Sequence, residues 1–150
     1  MMEFEIREMK KDEWRDWAKL RQMLWRGFTD EDAEKEAKLF LGDEDSNLQI
    51  VFLAFVEDQA IGFAEIARRS YADGCYDGPV AYLEGWFVKQ EYRKCGIASA
   101  LVDAAADWAR AQGYPHMASD SELKNIDGQK AHEACGFAEI GRVVQFRKNL

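Results

Sequence analysis

Residues 87–98 read F-V-K-Q-E-Y-R-K-C-G-I-A, and residues 100–109 continue A-L-V-D-A-A-A-D-W-A. An apolar strand runs into a short basic turn, and the turn opens directly into an amphipathic helix. Within the turn, Arg93, Gly96 and Ala98 spell R-x-x-G-x-A. Such a turn leaves backbone N–H groups free at a helix N-terminus, where the helix dipole also favours negative charge. A phosphate or pyrophosphate is the natural occupant. Small residues at positions 96 and 98 let the anion come close to the backbone. The pattern is neither G-x-x-x-x-G-K-[ST] nor G-x-G-x-x-G, so a nucleoside triphosphate or a dinucleotide fits poorly.

Upstream, residues 3–8 alternate as a first strand, and residues 11–25 place Trp14, Trp17, Leu20 and Leu24 at helical spacing. Thr29-Asp30-Glu31-Asp32 caps a second helix that ends near Leu41, where Gly42 stops it. L-Q-I-V-F-L-A-F-V over 48–56 predicts an apolar strand, E-D-Q a turn, and A-I-G-F-A-E-I-A-R the return strand of a hairpin. Ser70–Gly78 reads as a loop and Val80–Val88 as another buried strand. The helix after the basic turn spans 96–112, with an apolar stripe of Ala98, Leu101, Val102, Ala105 and Ala109. Gly113-Tyr114-Pro115 ends it. A short strand through Ala118, a helix near 125–135 and one or two closing strands over 137–147 complete the pattern. The order β-α-α-β-β-β-α-β-α-β-β implies an α/β (α+β) fold, a mixed central sheet of six to seven strands flanked by about four helices.

At 150 residues the chain reads as one domain over 1–150, long enough to bury a core. A hydrophobic fraction of 47% and a charged fraction of 32% are ordinary for a soluble globular protein. No apolar run approaches the roughly 20 residues needed to span a bilayer. The start, M-M-E-F-E-I-R-E-M-K-K, lacks an apolar signal core, which points to the cytoplasm. Cys75, Cys95 and Cys135 form an odd, widely spaced set without C-x-x-C, indicating neither a disulfide framework nor a metal site. A net charge of −8 weighs against nucleic acid. It suits a cationic substrate drawn into an acidic cleft, and equally a surface that is acidic for solubility alone.

The strand V-A-Y-L-E-G-W-F-V carries one charge, Glu84, which under strand alternation shares a face with Tyr82 and Trp86. A carboxylate in such a run is costly unless it is paired or opens onto a cleft. Glu84 therefore either pairs with a structural Arg or Lys, or faces the cleft and holds an ammonium group. Gly85 beside it predicts a bulge or the close approach of another backbone. A second acidic cluster, Ser119-Asp120-Ser121-Glu122, directly follows a strand. Ligands in open α/β sheets gather beyond the carboxyl ends of strands, which places Asp120 at a binding site; an Asx-turn or helix cap is the alternative.

The R-x-x-G-x-A turn resembles the coenzyme A pyrophosphate loop of the GCN5-related N-acetyltransferases, Q/R-x-x-G-x-G/A, and the element order is that of the same family. E-G-W-F-V, M-A-S-D-S, A-H-E-A-C-G-F and R-V-V-Q-F-R-K resemble one branch of it, the aminoglycoside 6′-N-acetyltransferases, as do L-W-R-G-F-T-D-E-D-A and R-R-S-Y-A-D-G-C. The resemblance implies acetyl-CoA as cosubstrate, no metal, an antibiotic amine as acceptor and a homodimer. It assigns acetyl-CoA to Phe87, Val88, Arg93, Lys94, Cys95, Gly96, Ile97, Ala98, Asn125 and His132. It assigns the antibiotic to Trp25, Tyr71, Glu84 and Asp120, with acidic help from segment 30–32. A backbone N–H around Phe87 or Val88 would face the developing oxyanion.

Acetyl transfer needs a neutral amine, whose pKa in water is roughly 10. Glu84 or Asp120, directly or through a water, could accept its proton. The same carboxylate stabilises the ammonium form, so both rank as binding residues first and bases second. Many family members place a tyrosine four residues before the G-F that ends the last helix, and an asparagine seven residues before that tyrosine. Here those positions are His132 and Asn125. A histidine can protonate a leaving thiolate near neutral pH; packing on the helix surface or against the coenzyme arm is the alternative. Two other readings compete: a polyamine, small-metabolite or protein-amine acetyltransferase, and a non-catalytic acyl-CoA-binding module. Intact Glu84 and Asp120 speak against the module.

Overall fold

The structure, a computed structural model, describes residues 2–42 and 47–150. Its strands are β1 Glu5–Glu8, β2 Leu48–Val56, β3 Gln59–Arg69, β4 Val80–Val88 and β5 Met117–Ser119. The helices are α1 Trp14–Leu24, α2 Asp30–Leu41, α3 Ile97–Ala111 and α4 Ile126–Ala134. The strands lie in the order β1-β2-β3-β4-β5, antiparallel except for the parallel pair β4–β5. Helix α2 starts where the sequence predicts. Thr29 Oγ1 accepts from Asp32 N while the Asp32 carboxylate accepts from Thr29 N, both at 3.1 Å.

Both faces of the sheet are covered, which explains why β2, β3 and β4 are nearly continuous apolar runs. On one face Trp17 and Leu20 of α1 and Ala37 of α2 pack against Val51, Leu53, Phe55 and Phe63. On the other, Ile97, Leu101, Val102 and Ala105 of α3 cover Ile50, Ala54, Ile61 and Leu83.

Two features depart from the sequence reading. Residues 137–147 form no strand, and the sheet has five strands rather than six or seven. A strand needs a partner edge, and after α4 the chain reaches none: residues 138–150 stay exposed and unpaired among the described residues. Ile140 lies against Gly74, but Val143, Val144 and Phe146 are 66%, 76% and 92% exposed. The second departure is in β4. Glu65 faces Gly85 and Ile66 faces Leu83, so Glu84 is an extra residue with no partner on β3. This is the predicted bulge, although side chains rather than another backbone make the close approach. A Cβ on Gly85 would fall 2.8 Å from the Trp25 ring and 2.9 Å from Glu65 Cγ and the Phe63 ring. The extra residue resets the alternation. Glu84 opens onto the cleft that Trp25 lines, whereas Trp86 joins the α3 cluster, its Nε1 donating to Ala98 O at 3.1 Å. Glu84 and Trp86 therefore do not share a face.

Beneath the bulge lies the carboxylate of Glu65, 2% exposed. It accepts from Trp17 Nε1 at 2.9 Å and from Arg21 Nη2 at 3.2 Å. Arg21 also reaches Glu65 with Nε at 3.0 Å and Glu36 of α2 with Nη1 at 2.9 Å. These last two contacts lack hydrogen-bond alignment, so charge carries them. The guanidinium sits among the rings of Trp17, Trp25 and Phe28. Burial pushes the Glu65 carboxyl up to about 7, against the pull of Arg21 and Trp17. A folded-state pKa raised above the unfolded value means that the folded chain holds a proton the unfolded chain has already released. Stability therefore falls as pH rises from the ordinary glutamate value of 4.5 toward about 7. We expect the urea midpoint to fall as pH rises across this window, and Glu65→Gln to flatten that dependence.

Candidate active site

Strands β4 and β5 pair only over Ala81–Leu83 and Met117–Ser119 and then part. The bulge at Glu84 bends β4 at the level where β5 ends, so the outer edge of residues 84–88 faces open space. The orientation of that edge follows from its end. Lys89 N donates to Ile61 O at 2.8 Å, so by alternation Phe87 also turns its N–H toward β3. Val88 then turns its N–H and C=O to the open side, where its carbonyl accepts from Arg93 Nε at 2.8 Å. Of the two backbone positions that the family resemblance offers, Val88 faces the gap and Phe87 faces the sheet.

The turn that follows has the geometry of an anion cradle. Lys94 and Gly96 are left-handed, with φ of 61° and 83°. Gly96 is the N-cap of α3, and a Cβ there would meet nothing within 4 Å. The helix's first main-chain bond runs from Ala100 N to Gly96 O, at 3.0 Å. The N–H groups of Ile97, Ala98 and Ser99 therefore have no intrahelical acceptor. Lys94, Cys95 and Gly96 are exposed, while buried Ile97 anchors the helix to the core. Arg93 is engaged locally, its Nε on Val88 O and its guanidinium 5.5 Å from the Phe87 ring centroid. It ties the turn to the strand, and the main chain and Lys94 are left to meet an anion. A pyrophosphate fits this donor set.

On the opposite face of the sheet lies a cleft of ≈ 700 Å³, lined by Trp25, Phe28, Asp32, Glu36, Glu65 and Glu84 among others. Trp25 stands edge-on to Phe63 and Phe28 and forms a wall. The Glu84 carboxylate is already paired: Arg69 Nε and Nη2 reach its two oxygens at 2.7 and 2.8 Å. The Arg69 guanidinium lies 3.5 Å from the Tyr82 ring centroid, and the Tyr82 hydroxyl donates to Asp120 Oδ2 at 2.5 Å. Burial, then the hydrogen bond to Asp120, raise the Tyr82 pKa, so the phenol stays a donor. Tyr71 lies on the 70–78 loop, not among the residues lining this cleft. Its hydroxyl donates to Asp73 and its ring tilts against Tyr76 at 5.8 Å.

His132 bridges the gap between the parted strands. Its Nδ1 is 2.7 Å from Gly128 O, which requires a proton on Nδ1. Its Nε2 is 2.8 Å from Ser119 Oγ, itself 3.1 Å from Leu83 O. With a neutral ring, the single Ser119 proton can serve only one of these acceptors. With an imidazolium, Nε2–H donates to Ser119 and Ser119 donates to Leu83 O. The ring meets Trp86 and Phe137 edge-on at 5.1 and 5.3 Å. Asn125 caps α4, its Oδ1 accepting from Gly128 N at 2.9 Å. Among the described residues, no group of three His, Cys, Asp or Glu side chains could hold a metal ion.

The sequence reading singled out neither Arg69, nor Ser119 as a site residue, nor the Glu65–Arg21–Glu36 cluster. Glu65 carried a usable signal: it is a lone charge in an apolar strand, the same criterion that picked out Glu84.

Residues 17–137 match the family model for the acetyltransferase (GNAT) family, and the chain belongs to that family. Over 135 residues it is 42% identical to the aminoglycoside N(6′)-acetyltransferase type 1 of Klebsiella aerogenes, covering 89% of each chain. It is 38% identical over 147 residues to the protein of that name from Salmonella enteritidis, covering 96% of this chain and 98% of the other. Among solved structures, AAC(6′)-Iy in complex with the bisubstrate analog CoA-S-monomethyl-acetylneamine superposes with a TM-score of 0.90, at 37% identity over 99% of both chains. AAC(6′)-Ih from Acinetobacter baumannii gives 0.86 at 35% identity, again over 99% of both chains.

Giving Gly96 a side chain tests the anion cradle. Holding a non-glycine residue in the left-handed region costs roughly 1–2 kcal/mol. Gly96→Ala should therefore weaken coenzyme A binding about five- to thirtyfold by calorimetry, with acceptor binding unchanged.

Proposed function

We propose that this acetyltransferase moves the acetyl group of acetyl-CoA to the 6′-amino group of aminoglycoside antibiotics, by direct attack in a ternary complex, and so confers resistance. The observation that carries this reading is the meeting of two opposite electrostatic sites at the outer edge of β4. The main-chain donors of the 94–99 turn lie beyond its end, and the acidic cleft opens at Glu84. The relatives named above carry this activity in their names.

Bound acetyl-CoA supplies the thioester, and the chain supplies everything around it. Lys94 and the N–H groups of the turn hold the pyrophosphate, with Cys95, Gly96, Ile97 and Ala98 giving it room. Val88 N–H, turned to the gap, faces the developing oxyanion; a preorganised donor of this kind is worth about 3–4 kcal/mol. Glu84 and Asp120 hold substrate ammonium groups, and one of them, directly or through a water, takes the proton of the attacking amine. Trp25 flanks the sugar rings from the cleft wall, and Tyr71 meets the substrate from the 70–78 loop outside it. His132 stands at the gap as donor to the leaving thiolate, with Ser119 steering its Nε2. Asn125 acts through α4, holding the helix that carries His132.

We read residues 1–150 as one acetyltransferase domain acting in the cytoplasm as a homodimer. Support for the dimer comes from the tail. R-V-V-Q-F-R over 142–147 has strand character yet is exposed, and the outer edge of β5 has no partner among the described residues. A second copy supplies what each lacks. Velocity sedimentation should show a dimer for the wild type and a monomer for Val144→Asp/Phe146→Asp; a wild type that stays monomeric at every concentration removes the dimer.

Thiol release from acetyl-CoA, followed in parallel with kanamycin A, spermidine and a lysine peptide, tests the activity. Kanamycin A should react fastest, and Glu84→Ala should weaken its binding while coenzyme A binding holds. Turnover of spermidine without kanamycin A would reassign the acceptor, and equal loss of both ligands in Glu84→Ala would make Glu84 structural.

A further inference from the structure

The carboxylate assigned to the substrate amine already holds a cation. Arg69 grips both Glu84 oxygens and lies flat on Tyr82, whose hydroxyl is bonded to Asp120. One guanidinium thus pairs with one acidic group of the acceptor site and packs on the tyrosine that holds the other. We propose that Arg69 is a resident competitor, an internal cation that occupies the ammonium position on Glu84 and that an acceptor must displace. The inference rests on the reading of Glu84 as an ammonium-binding residue.

Three observations favour displacement over a fixed structural pair. The first is exposure: the Arg69 and Glu84 side chains are 42% and 28% exposed, so water and incoming cations reach the pair. Arg21–Glu65 supplies the contrast, at 8% and 2%. The second is position. Arg69 is the last residue of β3 and leads directly into the 70–78 loop, where a side chain can swing outward without disturbing the ladder. The third is what surrounds the pair. Asp32 and Glu36 line the same cleft, and neither contacts Arg69.

The last point sets the specificity. An acceptor with a single ammonium exchanges one cation on Glu84 for another and gains little. A polyamine sugar places one ammonium on Glu84 and another near Asp32, which Arg69 does not serve; Glu36 is already held by Arg21. Resident Arg69 thus discriminates against monoamines, using the repulsion of a like charge to reject wrong partners.

The test compares kanamycin A with a monoamine, 6-amino-6-deoxyglucose, in the wild type, Arg69→Gln, Arg69→Lys and the Glu84→Gln background. Arg69→Gln should lower KM for the monoamine about two- to fivefold, the range of an exchangeable surface ion pair, and narrow the gap between the acceptors. Arg69→Lys should restore the wild-type gap, and Glu84→Gln should abolish the effect of the Arg69 change. A KM that rises or stays fixed in Arg69→Gln, or an effect that survives in Glu84→Gln, overturns the proposal. Kanamycin A inert beside an active spermidine would sink the aminoglycoside reading alone, and the Arg69 comparison then runs with spermidine. Should no acceptor turn over, the Arg69 Nε–H resonance, assigned by its loss in Arg69→Gln, decides. It should shift in Glu84→Gln, and an unmoved signal overturns the pairing itself.

Discussion

A carboxylate at 2% exposure must be answered by a cation, and the rest of this structure is arranged around that answer. Glu65 lies under β4 with Arg21 of α1 against it, Trp17 donating from the same helix and Glu36 of α2 on the far side of the guanidinium. The cluster fastens both helices of one layer to the central strand. It also crowds the space opposite Gly85, where no side chain fits, and the neighbouring residue bulges out. From that bulge follow the opening of Glu84 onto the cleft, the turn of Trp86 toward α3 and the parting of β4 from β5.

The two halves of the site are built from different material. On the proposed function the anion is met by main-chain donors whose direction is set by backbone conformation at Lys94 and Gly96. On that same reading the cation is met by side chains, Glu84 and Asp120. Coenzyme recognition is thereby tied to the scaffold, and acceptor recognition can be retuned at its rim. The tension between holding an ammonium and deprotonating it falls wholly on the second half.

Much of this was legible in the residues. The anion turn, the capping of α2, the span of β2 and the bulge at Gly85 follow from local rules of spacing and glycine placement, and local rules survive folding. What could not be read depends on residues brought together from distant points. Nothing near Arg69 announces that it will lie across Tyr82 and Glu84, because β3 and β4 must pair first. Trp86 was placed on the wrong face because strict alternation holds only until an extra residue interrupts it. The closing strands over 137–147 were expected from the order of elements along the chain. Strand character in a segment states a capacity to pair and leaves open where the partner edge is.

That tail has a bearing on how much of the protein a cell must make. On the dimer reading, Val143, Val144 and Phe146 are sheltered only after two chains meet, so the folded state gains stability by mass action as concentration rises. At low expression the lone chain carries an exposed, irregular segment with apolar side chains, the kind of segment that proteases cut and that strand edges capture. The amount of folded protein would then rise more steeply than in proportion to expression, since each added chain also protects those already made.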